Sequence, residues 1–276
     1  APGGPYCVLT QRVCMGRSPA HLTEGLTGLM ATSTAENATN DAEQAQEVRL
    51  GKQLLIAAGI VVIAAIPVTL VGYAVSRGSG AIHDFDQDVA NRLHDWAVDR
   101  PGAVTFLKVL SDVIDPWVLR AVAAVVVVTL FLRGKRRLAL WAATTIAIGS
   151  LLGFVLKLIV QRARPELPDA VHEAMGYSFP SGHALNSLLI LAVLVLLALP
   201  AVARRWRPVV WAGAALVVML VGFARIALGV HYVSDVLIGW FIAAALITAT
   251  IVAFDTWRQP QRRTAAQVMA EGVPED

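Results

Sequence analysis

The sequence predicts an all-α fold: a polytopic membrane protein built as a bundle of six transmembrane helices. Three observations carry that prediction. The chain of 276 residues is 56% apolar and only 16% charged, with a mean hydropathy of +0.61, beyond the range of an ordinary soluble domain. The apolar residues fall in repeated runs long enough to cross a bilayer. The basic residues gather in short clusters between alternate runs, which is a topology pattern rather than a nucleic-acid footprint, and the net charge of +3 is small.

Residues 1–53 are polar and lack a sustained period, so they are expected to form a disordered or loosely helical cytoplasmic tail. Met30 reads as a natural start of translation, and Cys7 and Cys14 read as incidental thiols. The membrane domain is expected over residues 54–254. Its first span is Leu54–Val75, with Pro67 as a possible kink. A polar segment follows from Ser76 to about Ser111. In it, Val89, Leu93, Trp96 and Ala97 suggest a short amphipathic helix lying in the interface, and the acidic cluster Asp84, Asp86 and Asp88 reads as a solvated loop. The remaining spans are expected at Pro116–Leu132, Leu138–Leu156, Ala184–Leu199, Val209–Phe223 and Val236–Phe254, followed by a cytoplasmic tail over 255–276.

Six spans place both ends on one side. The clusters Arg133–Arg137, Arg204–Arg207 and Arg258–Arg263 share a face with Arg49 and Lys52, and the positive-inside rule makes that face cytoplasmic. The connections after spans one, three and five are then exterior, and with them Lys157, Arg164, His183, Arg225, His231 and Asp235. The loop with Asp169, His172 and Glu173 lies on the same side.

Three stretches on that side carry candidate chemistry. In the first, Lys157 is followed by Arg162, Arg164 and Pro165. If the helix continues, Lys157 and Arg164 share a face about 10 Å apart along the axis, although Pro165 favours unwinding before it. Arg suits bidentate contact with phosphate oxygens and Lys acts as a point charge. The second stretch is Tyr177-Ser178-Phe179-Pro180-Ser181-Gly182-His183, which opens a long apolar run. Pro180 fits a first helical turn, Ser181 can cap, and Gly182 allows close backbone approach, so the helix N-terminus is a ready anion site with His183 at its mouth. The third places Arg225, His231 and Asp235 at spacings of six and four. One helical turn lets Asp235 hold one nitrogen of His231 and leave the other free. Any one stretch also fits a lipid anchor or a capped helix. Ionisable groups beside spans are costly, however, and usually functional. Together they describe a phosphoryl-transfer site that needs no metal.

Lys157 with Arg164-Pro165, Pro180-Ser181-Gly182-His183, and Arg225 with His231 and Asp235 resemble the three signature motifs of the type-2 phosphatidic acid phosphatase superfamily. That superfamily includes lipid phosphate phosphatases, glucose-6-phosphatase and the vanadium haloperoxidases. The likeness covers about residues 54–254. One departure is Ala224, where the family usually has Ser before the Arg of its third motif. The resemblance implies that His231 attacks phosphorus to form a phosphohistidine, that Asp235 orients it, and that His183 protonates the leaving oxygen and then activates water. It implies that Lys157, Arg164 and Arg225 hold the phosphate oxygens with Ser181 and the Gly182 N–H. The substrate would be a lipid phosphate such as a polyprenyl diphosphate, phosphatidylglycerol phosphate or phosphatidate, entering laterally between helices; no cofactor is implied. A lipid phosphotransferase is the alternative within the enzyme class. A non-catalytic lipid-phosphate transporter is the alternative outside it, but transport alone does not require His183 and the His231–Asp235 pair beside three cations.

Overall fold

A computed structural model describes residues 19–78, 80–167 and 175–255. The expected loop acids Asp169 and Glu173, His172, Cys7, Cys14, and the basic residues Arg258, Arg262 and Arg263 lie outside the described residues. The chain divides into two compact units, Ala1–Leu50 and Gly51–Asp276. The described residues are helical apart from connecting loops, as the apolar runs predict. The helices are α1 (Pro19–Ser76), α2 (Ala81–Val98), α3 (Pro101–Val113), α4 (Pro116–Leu132), α5 (Arg136–Val160), α6 (Gly182–Ala198), α7 (Arg207–Ala227) and α8 (Val233–Asp255). Residues 19–53, expected as a loose tail, are helical here as the first part of α1.

Six segments are long and apolar enough to cross a membrane: Glu47–Ser76, Pro101–Leu132, Arg136–Val160, Gly182–Ala201, Arg204–Ala227 and Val233–Phe254. The protein is a multi-pass membrane protein. Outward faces of these helices are apolar, with Ile63, Val125, Leu151 and Ile159 exposed, the inverse of a soluble bundle. Water in the hydrocarbon cannot satisfy backbone groups, so helices that pair all their own amides are the form such segments take.

Helix α6 is central. It packs against α4, α5, α7 and α8, and buries Leu185, Leu189 and Ala192 in one cluster with Val68 and Val75 of α1 and Ile238, Ile242 and Leu246 of α8. Apolar lipid supplies no hydrophobic drive between spans, so close packing carries the association. Gly239 of α8 is one such contact: a Cβ there would lie 3.0 Å from the Ser181 carbonyl oxygen and 3.2 Å from the Leu185 nitrogen. Its lack of a side chain sets α8 directly against the start of α6.

The polar segment after α1 contains the expected helix through Val89, Leu93, Trp96 and Ala97 as α2, but a second helix follows and not all of its acids are solvated. The two helices, α2 and α3, pack on the C-terminal end of α7 through Ala97, Val104, Leu107, Ala224, Ala227 and Leu228. Trp96 meets Phe223 edge-on at 6.1 Å. Asp84 and Asp88 are exposed, but Asp86 is completely buried, one helical face with Ala90, His94 and Ala97. The acid is inside because its partners are there, as described next.

Candidate active site

The site forms where α5 and α7 end and α4, α6 and α8 begin. Helix α5 stops at Val160, and Gln161 takes a left-handed conformation with φ 50°. Unwinding before Pro165 therefore prevails over continued helix, and Arg162 and Arg164 lie in an extended loop. Helix α6 begins at Gly182, two residues later than a Pro180 start would have it. Pro180 precedes the helix in a cis peptide, Ser181 is the N-cap, and its Oγ accepts from the Ala184 N–H at 3.4 Å. Two backbone bonds tie the three stretches together. The Ser178 N–H donates to the Arg162 carbonyl at 2.9 Å, and the Ser181 N–H donates to the Asp235 carbonyl at 3.0 Å. After α7, Gly229 turns the chain at φ +69°, a conformation Gly adopts without steric cost, and delivers His231 into the interior.

His231 is buried. Its Nδ1 lies 3.6 Å from Asp235 Oδ2 and 3.3 Å from Ser178 Oγ, while Ser178 Oγ also donates to Asp235 Oδ2. The same carboxylate oxygen accepts the Tyr232 N–H at 2.9 Å. Its Nε2 faces Arg164 Nη1 at 3.4 Å. Burial pushes the His231 imidazole well below its ordinary range, against the opposing pull of Asp235, so the ring is neutral near pH 7 and keeps a lone pair for nucleophilic attack.

Three cations gather here: Arg164 and Arg225 lie near this ring, and Lys157 lies near both of them. Arg164 is held by carbonyls: Gly176 at 3.0 Å, Met175 at 3.1 Å and Val230. Lys157 Nζ donates to the Tyr177 carbonyl at 2.6 Å, and its Cε passes beside Gly182. Arg225 is 5% exposed, and its Nε is buried with no hydrogen-bond partner among the described residues. Lys157, Arg164 and Arg225 lie close enough for their charges to repel one another. Burial and the crowding of like charge together call for an anion there. His183 Nε2 meets Asp115 Oδ2 at 3.4 Å, and Asp115 lies near enough to Arg225 for their charges to attract. Asp115 also caps α4, accepting the Trp117 N–H at 2.7 Å.

The structure thus brings Lys157, Arg164, Arg225, His231 and Asp235 to one place beside the Ser181–His183 turn. Ser181 is fully buried, with its oxygen committed to capping and its hydroxyl proton left to give. Ala224, the departure from the third motif, is buried in the apolar cluster that seats α2 and α3 on α7, a place suited to a small apolar side chain. Sequence reasoning missed Ser178, Asp115, Asp86 and the partnership of Arg162. The available signal was an acid at position 86, in helical phase with the small residues Ala90 and Ala97.

Residues 138–259 match the family model described as the PAP2 superfamily. These residues form a PAP2-superfamily domain. All three motif stretches of the PAP2 domain fall inside the matched segment. The chain is 37% identical over 108 residues to phosphatidylglycerophosphatase B of Bacillus subtilis (strain 168), covering 38% of this chain and 52% of that protein. It is 31% identical over 130 residues to lipid phosphate phosphatase delta of Arabidopsis thaliana, covering 43% of this chain and 31% of that one. The matches thus span about half or less of these relatives' own lengths. A crystal structure of a transmembrane PAP2-type phosphatidylglycerolphosphate phosphatase from Bacillus subtilis shares the PAP2 fold, with a TM-score of 0.58 at 23% identity, over 67% of this chain and 92% of that one.

Proposed function

We propose that this protein is a membrane lipid phosphatase that hydrolyses lipid phosphomonoesters or diphosphates through a phosphohistidine on His231. The observation that carries this reading is the pairing of a neutral, buried imidazole with three cations that repel one another. Nδ1 of that ring is turned to Asp235 and Nε2 toward Arg164. A phosphate placed among Lys157, Arg164 and Arg225 relieves their repulsion and presents phosphorus to Nε2. Charge developing on the equatorial oxygens is stabilised by groups already in place.

The chemistry runs in two displacements. Nε2 of His231 attacks phosphorus, the bond to the lipid oxygen breaks, and that oxygen takes a proton from His183. Water then attacks phosphorus, gives a proton to His183, and the P–N bond breaks to release inorganic phosphate and restore His231. Asp235 orients His231 and balances its charge, and the Gly182 N–H and Ser181 hydroxyl add donors. This scheme routes no step through a metal. Candidate substrates are polyprenyl diphosphate, phosphatidylglycerol phosphate and phosphatidate; the name of the Bacillus relative favours testing the second first. Basic clusters on the opposite loops support an exterior site with both termini cytoplasmic.

The test is phosphate release by detergent-purified protein from these lipids, with EDTA present and His231→Ala alongside. Release that survives EDTA and is lost in the variant is expected. Wild-type rates in His231→Ala would overturn the mechanism. Transfer of phosphate to an added lipid or sugar alcohol in place of release would establish a phosphotransferase.

A further inference from the structure

The buried acid of α2 has a place in the reaction. Arg162, 5% exposed, bridges two carboxylates: Nη1 meets Asp235 Oδ1 at 2.7 Å and Nη2 meets Asp86 Oδ2 at 2.8 Å. Its guanidinium lies over the Tyr232 ring at 3.9 Å. Asp86 in turn holds the first turn of α8, where Oδ1 accepts the Ser234 N–H at 3.0 Å and Oδ2 accepts the Ser234 hydroxyl. Ser234 Oγ lies 2.8 Å from Arg162. Asp86 and Asp235 are each fully buried, so neither carboxylate has water as an alternative partner.

Each oxygen of Asp235 therefore has its own task. Oδ2 serves the His231 side, with Ser178 and the Tyr232 N–H, and Oδ1 is taken by Arg162. A carboxylate rotates freely unless both oxygens are engaged. The arginine fixes the carboxylate plane, and Asp86 fixes the arginine. Asp86 lies outside the segment matched by the family model, residues 138–259, on a helix ahead of all three motifs.

We propose that Asp86 is a positioning residue for the nucleophile, acting through Arg162 and Asp235 to set the His231 ring. The inference rests on the phosphohistidine reading above. Asp86→Asn is nearly isosteric and keeps an acceptor for the Ser234 N–H, but it can turn an amide donor toward the Arg162 donors and removes the charge. A bridge held at one end leaves Asp235 free to turn, and the imidazole with it.

The experiment is rapid quench of the full-length protein in detergent with dioctanoyl phosphatidate labelled in the phosphate, under single turnover. It records covalent label and released phosphate together. Size-exclusion chromatography reports how much protein is folded; at saturating protein the rate constant reports alignment, which loss of part of the folded protein does not change. Asp86→Asn should keep an amplitude near wild type and lose at least about tenfold in the rate constant, the order of effect that misplacement of a reacting group produces. In an Arg162→Met background, Asp86→Asn should cost less than about twofold more, since the link is already cut. A wild-type rate constant in Asp86→Asn, or a full additional loss in the Arg162→Met background, would overturn the inference. Phosphate release from the wild type without covalent label would instead sink the phosphohistidine reading, while the single-turnover release rates still judge Asp86. If Asp86→Asn does not fold, Arg162→Lys reads the same link. Its single ammonium lacks the fork that spans both carboxylates, so the same loss is expected, and a wild-type rate overturns the proposal.

Discussion

Arg162 and Arg164 stand two residues apart in one loop and occupy opposite electrostatic worlds. Arg162 is shut inside with two carboxylates at 2.7 and 2.8 Å. Arg164 is more open, held by the carbonyls of Gly176, Met175 and Val230, and sits beside His231 Nε2. Carbonyls orient a guanidinium without cancelling its charge; carboxylates do both. The difference teaches that charge balance, rather than residue type, separates a structural cation from one left to receive a phosphate. It also divides the molecule into a neutralised region around Asp86, Arg162 and Asp235 and an anion-seeking region around Lys157, Arg164 and Arg225.

The sharpest break of that comparison is a matched pair of variants. Arg162→Met leaves Asp86 and Asp235 buried without their cation, and breaking a buried pair in this way costs about 3–5 kcal/mol. Its thermal midpoint in detergent should fall by many degrees. Arg164→Ala should instead keep its midpoint within a few degrees while kcat/KM falls by ~10²–10³-fold, the scale for removing one transition-state donor. The reverse pattern, an unstable Arg164→Ala and a stable but inactive Arg162→Met, would show that the two roles had been exchanged.

A smaller effect is expected at Asp115, the carboxylate paired with His183. Asn caps a helix as well as Asp does, so Asp115→Asn keeps the start of α4 and removes only the charge that orients His183. Turnover should drop about tenfold or more, part of the ~10²–10⁴ that a positioned acid contributes, with the thermal midpoint unchanged. A normal kcat would remove Asp115 from the reaction.

A last effect concerns acid. His231 is pushed down to about 3 from an ordinary value of 6.5 by burial, while the imidazole of the unfolded chain titrates near the ordinary value. Below pH 6.5 the unfolded state therefore binds the additional proton, and stability falls as pH drops through that window and is flat above it. Thermal unfolding of wild type and His231→Gln at pH 7 and pH 4 should show a shallower decline in the variant. Equal declines would mean that burial does not hold the imidazole uncharged.

Much of the fold was legible along the chain because its cause is local. Hydrocarbon admits long apolar runs and rejects charge, so the six runs locate the six spans, although the second begins at Pro101 rather than Pro116 and others extend several residues past the expected ends. The same cost makes ionisable groups at span ends informative, and His231, Asp235, Arg225, Arg164 and Lys157 converge as their positions suggested. Pro165 likewise announced the end of α5. In the polar segment the helix α2 was legible, but its docking on α7 and the burial of Asp86 were not. Asp86 read as solvated because nothing nearby in sequence pairs with it, and its partner is Arg162, 76 residues away.

What the sequence by itself determined is the membrane bundle, the order of its spans and the three stretches that bear charge, since solvent exclusion and helix period act residue by residue. Only the tertiary structure decided which charges are spent and which are left. Asp86 meets Arg162, Asp115 meets His183 and Ser178 meets Asp235 because separate helix ends converge on one small volume, and in a buried volume each charge is settled by the neighbours that folding brings within a few ångströms.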